Sequence, residues 1–238
     1  MKELSYMEQE KNIVELEIYL IRHGQSNTNA GIAVREIPTI QDMADPYLTQ
    51  LGISQAKALG KHLADTEFDY VYSSGLFRAE RTATEVINGQ KKPQKLRILP
   101  LLTEIGMGRD YPGATWEELH AINPDAHLAP DLPGDTELLF YSEHDDNASH
   151  RERAEKTIEY LRTHHMGEKI CVVSHAAFIT HVVFYLMGLK ELPAFDINFS
   201  NTGVTKIIFY KPGTNKYGDI IFDYINSTTH LAGLPETR

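Results

Sequence analysis

Cysteine is almost missing from this sequence. Cys171 stands alone among 238 residues, so no internal disulfide can form and a disulfide-stapled secreted scaffold is excluded. Long apolar runs are missing as well. The stretch at 18–21 (IYLI) is strand-sized, far short of the ~20 residues that a membrane helix needs. The opening MKELSYMEQEKN is acidic and has no apolar signal region, which predicts no export and a cytoplasmic location. Positive charge is scarce: 23 Lys and Arg face 33 Asp and Glu, a net −10. That balance argues against nucleic-acid and anionic-membrane partners, whose binding leans on a basic face. It leaves room for a local basic pocket that takes a small anion.

No repeat, low-complexity tract or Gly/Ser-rich linker divides the chain. The length suits one α/β domain over 1–238. Residues 16–21 (LEIYLI) and 170–173 (ICVV) read as buried strands, and 70–73 as a third. Thr49 offers an N-cap to a helix with Leu51, Ala56, Leu59 and Leu63 on one face. Residues 76–87 and 149–165 read as further helices, and 177–188 as an apolar helix closed by Gly188. Residues 96–102 read as strand, with Pro100 forcing an edge position or an early end. The proline-interrupted stretch 104–147 predicts a cap-like insertion, helical only near 115–120. Residues 204–210 and 219–225 suggest a late antiparallel pair. The alternation predicts an α/β three-layer sandwich, with a mostly parallel mixed central sheet flanked by helices.

Ligands of such sheets bind beyond the carboxyl ends of the strands. Two predicted strands run directly into a histidine there: Arg22-His23-Gly24 and Ser174-His175-Ala176. Arg22 supplies a charged fork suited to phosphate oxygens. A third strand leads through Ser73-Ser74-Gly75 into a helix whose first turn carries Arg78. A cation there is disfavoured by the helix dipole unless an anion offsets it. His62, His120, His127, His164 and His165 lack such placement and read as structural or surface residues.

The ordered motifs LIRHGQSNTN, YLTQLGISQAKALG, VYSSGLFRAERTATEV, LLTEIGMG and VVSHAAFI resemble the histidine phosphatase superfamily, in the branch of the phosphoglycerate mutases and related phosphatases. Asn201-Thr202-Gly203 and 226–231 (NSTTHL) also look familial. The resemblance implies a phosphoglycerate mutase-like fold and a phosphatase working on a small phosphate ester without metal or cofactor. It makes His23 a nucleophile that forms a phosphohistidine, and it makes Arg22, Arg78 and His175 stabilisers of the transferring phosphoryl group. It implies that Asn29 and the Ala176 N–H contact phosphate, and that Glu104 gives the leaving oxygen its proton, with Asp110 in reserve.

One departure matters. The mutases carry Glu-Arg-His-Tyr-Gly around their acid, where this chain has Glu104-Ile105-Gly106-Met107-Gly108. A mutase must grip a second anionic group, so the sequence favours a phosphatase. Mutase-type phosphoryl transfer and a non-catalytic phosphate-recognition module are the alternatives. Arg35 and Arg109 read as surface arginines that a second anion would otherwise need. The acidic and histidine-bearing run at Glu143-His144-Asp145-Asp146 and His150 lacks a recognised metal-ligand spacing and reads as solvated charge. The sequence leaves the substrate and any homo-oligomer open.

Overall fold

A computed structural model describes residues 12–33, 35–92, 94–106, 111–132 and 146–238. The strands are β1 (Val14–Arg22), β2 (Tyr70–Ser73), β3 (Leu96–Ile98), β4 (His127–Leu128), β5 (Glu168–Ser174), β6 (Val204–Tyr210) and β7 (Ile220–Ser227). The helices are α1 (Ile40–Ala44), α2 (Gln50–His62), α3 (Phe77–Gly89), α4 (Trp116–Ile122), α5 (Asn147–His164) and α6 (Ala176–Leu186). The seven strands form one sheet in the order β4-β3-β2-β5-β1-β6-β7. Contacts from β4 across to β1 are parallel. Strand β6 runs antiparallel to both of its neighbours.

Period-two alternation explains the layering. Along β1, Leu16, Ile18 and Leu20 enter one core while Tyr19 and Ile21 enter the other. Strand β5 repeats this, with Ile170 and Val172 on the first side and Cys171 and Val173 on the second. Helices α5 and α6 cover the first face with Ile158, Leu161, Phe178 and Ile179. Helices α2 and α3 cover the second with Leu59, Phe77, Ala83 and Val86. Strands buried on both faces need near-continuous apolar text, which is what 16–21 and 170–173 supply.

Three local readings change. Leu51 is only half-buried, and the buried positions of α2 include Gln55 instead. The Gln55 amide is spent on the carbonyl of Pro235 and the hydroxyl of Thr237. The strand at 96–102 stops at Ile98, because Pro100 opens a short 3-10 turn through Leu102; proline fits a first helical turn where no N–H is required. Within 104–147, β4 pairs in parallel with β3, so this stretch also contributes to the sheet.

Candidate active site

The sheet register brings the two histidines together. Arg22 of β1 lies opposite Ser174 of β5, so His23 and His175 follow side by side at the carboxyl ends of neighbouring parallel strands. The His23 N–H donates to the Ser174 carbonyl at 3.0 Å, and the two imidazole centroids are 5.1 Å apart. Strand β2 flanks β5 on the other side, with Ser73 opposite Val173. The chain then turns into α3, and Arg78 reaches back so that its Nε donates to His23 Nε2 at 3.2 Å. Gly24 is required where the His23 loop meets α2, since a Cβ there would sit 2.5 Å from the Gly52 carbonyl oxygen.

A cavity of about 120 Å³ opens at this point, lined by Arg22, His23, Asn29, Arg78 and Glu104, with Ser26 and Met43 at its side. His175 is fully buried beside His23, its Nε2 2.7 Å from the Ser74 hydroxyl. Asn29 accepts at Oδ1 from the Ser26 N–H and hydroxyl and from Asn201 Nδ2, which leaves its amide N–H groups for the cavity. The Glu104 carboxylate accepts the N–H groups of Ala177 (3.4 Å) and Phe178 (3.1 Å), in the first turn of α6, where the helix dipole favours negative charge. Ala176 opens that helix directly after His175.

The electrostatics favour a neutral imidazole facing an anion. Burial, then the Arg78 and Arg22 guanidiniums, holds His23 well below the usual histidine range. The Nδ1 of His23 lies 2.7 Å from the Gly24 carbonyl oxygen; Nδ1 therefore carries the proton, and Nε2 keeps a lone pair. His175 is pushed down in the same way by burial and then by Arg78. Burial lowers Arg22 to about 10, so it stays charged at neutral pH. Among the described residues, Arg22 Nε and His175 Nδ1 are buried polar atoms without a hydrogen-bond partner. Such atoms are costly unless a ligand satisfies them.

The contacts of the supporting residues were not legible in advance, although the resemblance had picked out Asn201 and Thr202. Leu76 begins α3 with no side-chain cap; the Asp45 carboxylate, arriving from the end of α1, accepts the Phe77 N–H at 2.9 Å instead. Asp45 also accepts from the Tyr111 hydroxyl at 3.0 Å and pairs with Arg78 Nη1 at 3.3 Å. It is the anion that permits a cation in this first turn. Asn201 donates to the His23 carbonyl at 3.1 Å, and Thr202, in the left-handed region at φ 59°, donates its N–H to the Arg22 and His23 carbonyls. Buried Arg153 grips the carbonyls of Leu101 and Thr103, and the Ser174 hydroxyl holds that of Leu102. Together they fix the turn that presents Glu104.

The sequence profile of the histidine phosphatase superfamily (branch 1) matches residues 18–217. The chain belongs to this superfamily. It is 30% identical over 206 residues to a 2,3-bisphosphoglycerate-dependent phosphoglycerate mutase of Rhizobium meliloti (strain 1021), covering 80% of this chain and 88% of that protein. It is 29% identical to an adenosylcobalamin/alpha-ribazole phosphatase of Salmonella typhimurium, over 73% of this chain and 81% of the relative. The crystal structure of an Entamoeba histolytica phosphoserine phosphatase in complex with 3-phosphoglyceric acid superposes with a TM-score of 0.60 at 25% identity, covering 91% of this chain and 99% of that one.

In this member of the superfamily the five histidines read as structural do not line the cavity beside His23. His165, for example, is spent between the Tyr72 hydroxyl and the Glu168 carboxylate. Arg81 pairs with Glu85 and Arg35 with Asp42. Asp110 and Arg109 lie outside the described residues, as do Glu143, His144 and Asp145. Asp146 caps α5 through the Ser149 N–H. Among the described residues no cluster of three His, Cys, Asp or Glu side chains is arranged to hold a metal ion, and no helix is long and apolar enough to cross a membrane. Arg78 in the first turn of α3 was the sequence signal that an anion had to be near, and Asp45 is a carboxylate that meets it.

Proposed function

We propose that this protein is a metal-independent phosphomonoesterase that works through a phosphohistidine on His23. The observation that carries the reading is the state of that imidazole: its Nδ1 proton is committed to Gly24, its Nε2 lone pair is held by Arg78, and it lines a cavity with Arg22. A neutral nitrogen backed by two guanidiniums suits attack on a phosphate monoester.

In the first step the Arg78 Nε–H shifts its hydrogen bond from His23 Nε2 to a phosphoryl oxygen, and the freed Nε2 lone pair attacks phosphorus. The N–P bond forms as the ester P–O bond breaks, and protonated Glu104 gives its proton to the leaving oxygen, releasing the alcohol. In the second, water attacks the phosphohistidine, its proton passes to the Glu104 carboxylate, and the N–P bond breaks to release inorganic phosphate. Arg22 and Arg78 balance the charge on the phosphoryl oxygens in both steps, with neutral His175, Asn29 and the Ala176 N–H as hydrogen-bond donors. In this reading the described part of the cap-like stretch, 111–132, borders the ester side, in keeping with buried Tyr111 and its bond to Asp45. A cytoplasmic location is in keeping with the buried free thiol of Cys171.

Rapid acid-free quenching during turnover of a labelled phosphate ester is expected to trap acid-labile phosphate on His23, and EDTA is expected to leave the rate unchanged. His23→Ala is expected to lose both label and turnover, roughly 10⁴-fold or more; parent-rate hydrolysis by this variant overturns the assignment. The mutase relative gives the second reading a specific basis. With 2,3-bisphosphoglycerate present, conversion of 3-phosphoglycerate to 2-phosphoglycerate faster than phosphate release would establish that reading in place of the phosphatase.

A further inference from the structure

A second cavity, of about 300 Å³, lies between α6 and the chain that follows it, lined by Ala177, His181, Phe184, Leu192, Phe195 and Asp196 among others. It adjoins the phosphate cavity through one carboxylate. Glu104 lines the phosphate cavity, and its Oε2 accepts the N–H of Ala177, a residue of the second cavity's wall. The volume matches the lower end of small-molecule sites. Its walls are apolar side chains held open to solvent: Leu192 is 57% and Phe195 58% exposed. The Phe195 ring stands edge-on to Phe184 at 5.8 Å. Met43, in the lining of the phosphate cavity, is 61% exposed.

The charge in this second cavity selects against anions. Among the described residues no lysine or arginine lines it. Burial, then the neighbouring His150 and Arg153, pushes His181 down to about 4, so it is neutral at physiological pH. Its ring meets that of His150 edge-on at 5.0 Å. Among the described residues Asp196 is the one acidic side chain in the lining, and its Oδ1 accepts the N–H of Ile197 at 2.7 Å. A second phosphate or carboxylate entering here would meet a carboxylate and aromatic rings.

We infer that this cavity receives the non-phosphate part of the ester, and that this part is an uncharged apolar group, alkyl or aryl. The inference deepens the phosphomonoesterase reading and rests on it for the position of the phosphate. Burial of a chain along Phe184, Leu192 and Phe195 then adds affinity methylene by methylene, while Glu104 stands where the two cavities meet.

The test is binding of a series of n-alkylphosphonates, methyl to hexyl, followed by calorimetry on the intact protein. Affinity is expected to rise about two- to fourfold per added methylene, and phosphonoacetate is expected to bind no tighter than methylphosphonate. Phe195→Ala, at an exposed position, is expected to reduce the slope of the series by about half, with Leu192→Ala as an independent second variant. A flat series in the parent overturns the inference, as does a parent-like slope in both variants or preferential binding of phosphonoacetate. Turnover of methyl phosphate separates the two claims. A flat affinity series with turnover leaves the hydrolase and removes the apolar cavity; a rising series without turnover does the reverse.

Discussion

The cavity proposed to take phosphate draws its side chains from the carboxyl end of β1 and the loop after it, from the end of α1, from the first turn of α3 and from Glu104. The neighbouring cavity draws on one face of α6 and the irregular chain after it. The first is charged and cross-braced: Arg22 donates to the Phe199 carbonyl, Arg78 to His23 and Asp45, and Asn201 to His23. The second is apolar and carries two large side chains more than half exposed. Strand ends locked by ladder hydrogen bonds give the precision that phosphoryl transfer needs. A helix face and a loop can change side chains without moving the reaction centre. Substitutions on the phosphate side are therefore expected to cost all esters alike, and those beside α6 to cost each ester differently.

Glu104 stands on the boundary and gives the sharpest way to break that comparison. Glu104→Gln keeps one acceptor oxygen, enough for the Phe178 N–H but not also for the Ala177 N–H, which bonds the other carboxylate oxygen, and it removes the transferable proton. The expected loss is roughly 10²- to 10⁴-fold on alkyl phosphates, and much less on aryl phosphates, whose leaving groups need little protonation. Steady-state kinetics on paired alkyl and aryl esters measure it; equal losses on both would remove Glu104 as the acid. Arg78→Ala is expected to cost about 10²- to 10³-fold. Here the same factor should appear for every ester, and an ester-dependent loss would show that the two cavities do not divide the work as described.

Asp45 is the next, smaller lever. Its carboxylate holds Arg78 Nη1 and caps α3, so Asp45→Asn is expected to lower kcat about ten- to hundredfold by loosening Arg78. Burial raises Asp45 from 3.8 to about 6, against the pull of Arg78 and the Phe77 N–H. Below about pH 6 it gains a proton and loses the charge that holds Arg78, so kcat/KM should fall on the acid side. The stability contributed by this raised pKa is present below about pH 4 and is lost as pH rises through about 6. In Asp45→Asn both dependences should flatten, and a parent-like acid limb would assign that limb to another group.

These residues also mark what the sequence could reveal. His23, His175, Arg22 and Arg78 were legible because each follows a strand whose apolar run announces it, and parallel register then forces them together. The layers were legible for the same reason. The contacts of Asp45, Asn201 and Arg153 were not: they reach 32, 178 and 50 or more residues away in sequence, which no local pattern encodes. Leu51 misled because helical periodicity gives the direction of a face but not its width, and the α2 interface is centred on Ala56 and Leu59. The strand end at Ile98 was foreseeable from Pro100, whereas the parallel pairing of β4 was hidden in a segment with two strand residues.

Glu80 supplies the smallest expected effect on catalysis and a clear one on stability. It lies two residues after Arg78 but turns into the core, fully buried, and neither carboxyl oxygen has a hydrogen-bond partner. Burial, then the nearby Asp45 charge, pushes it up from 4.5 to about 9, so it is protonated at neutral pH. An unpartnered buried carboxyl costs stability that a leucine of similar size does not. Glu80→Leu is therefore expected to stabilise the fold by about 1–3 kcal/mol, read as a raised Tm, with turnover at pH 7 within about twofold of the parent. The sign of the pH dependence follows from the raised pKa. In the parent, the contribution of Glu80 is present below about 4.5 and lost as pH rises through about 9, and the leucine variant should lack that decline. A lowered Tm across the whole range would mean that the carboxyl has a partner the fold depends on, and that the charged side of the molecule extends deeper into α3 than its hydrogen bonds to Asp45 and His23 indicate.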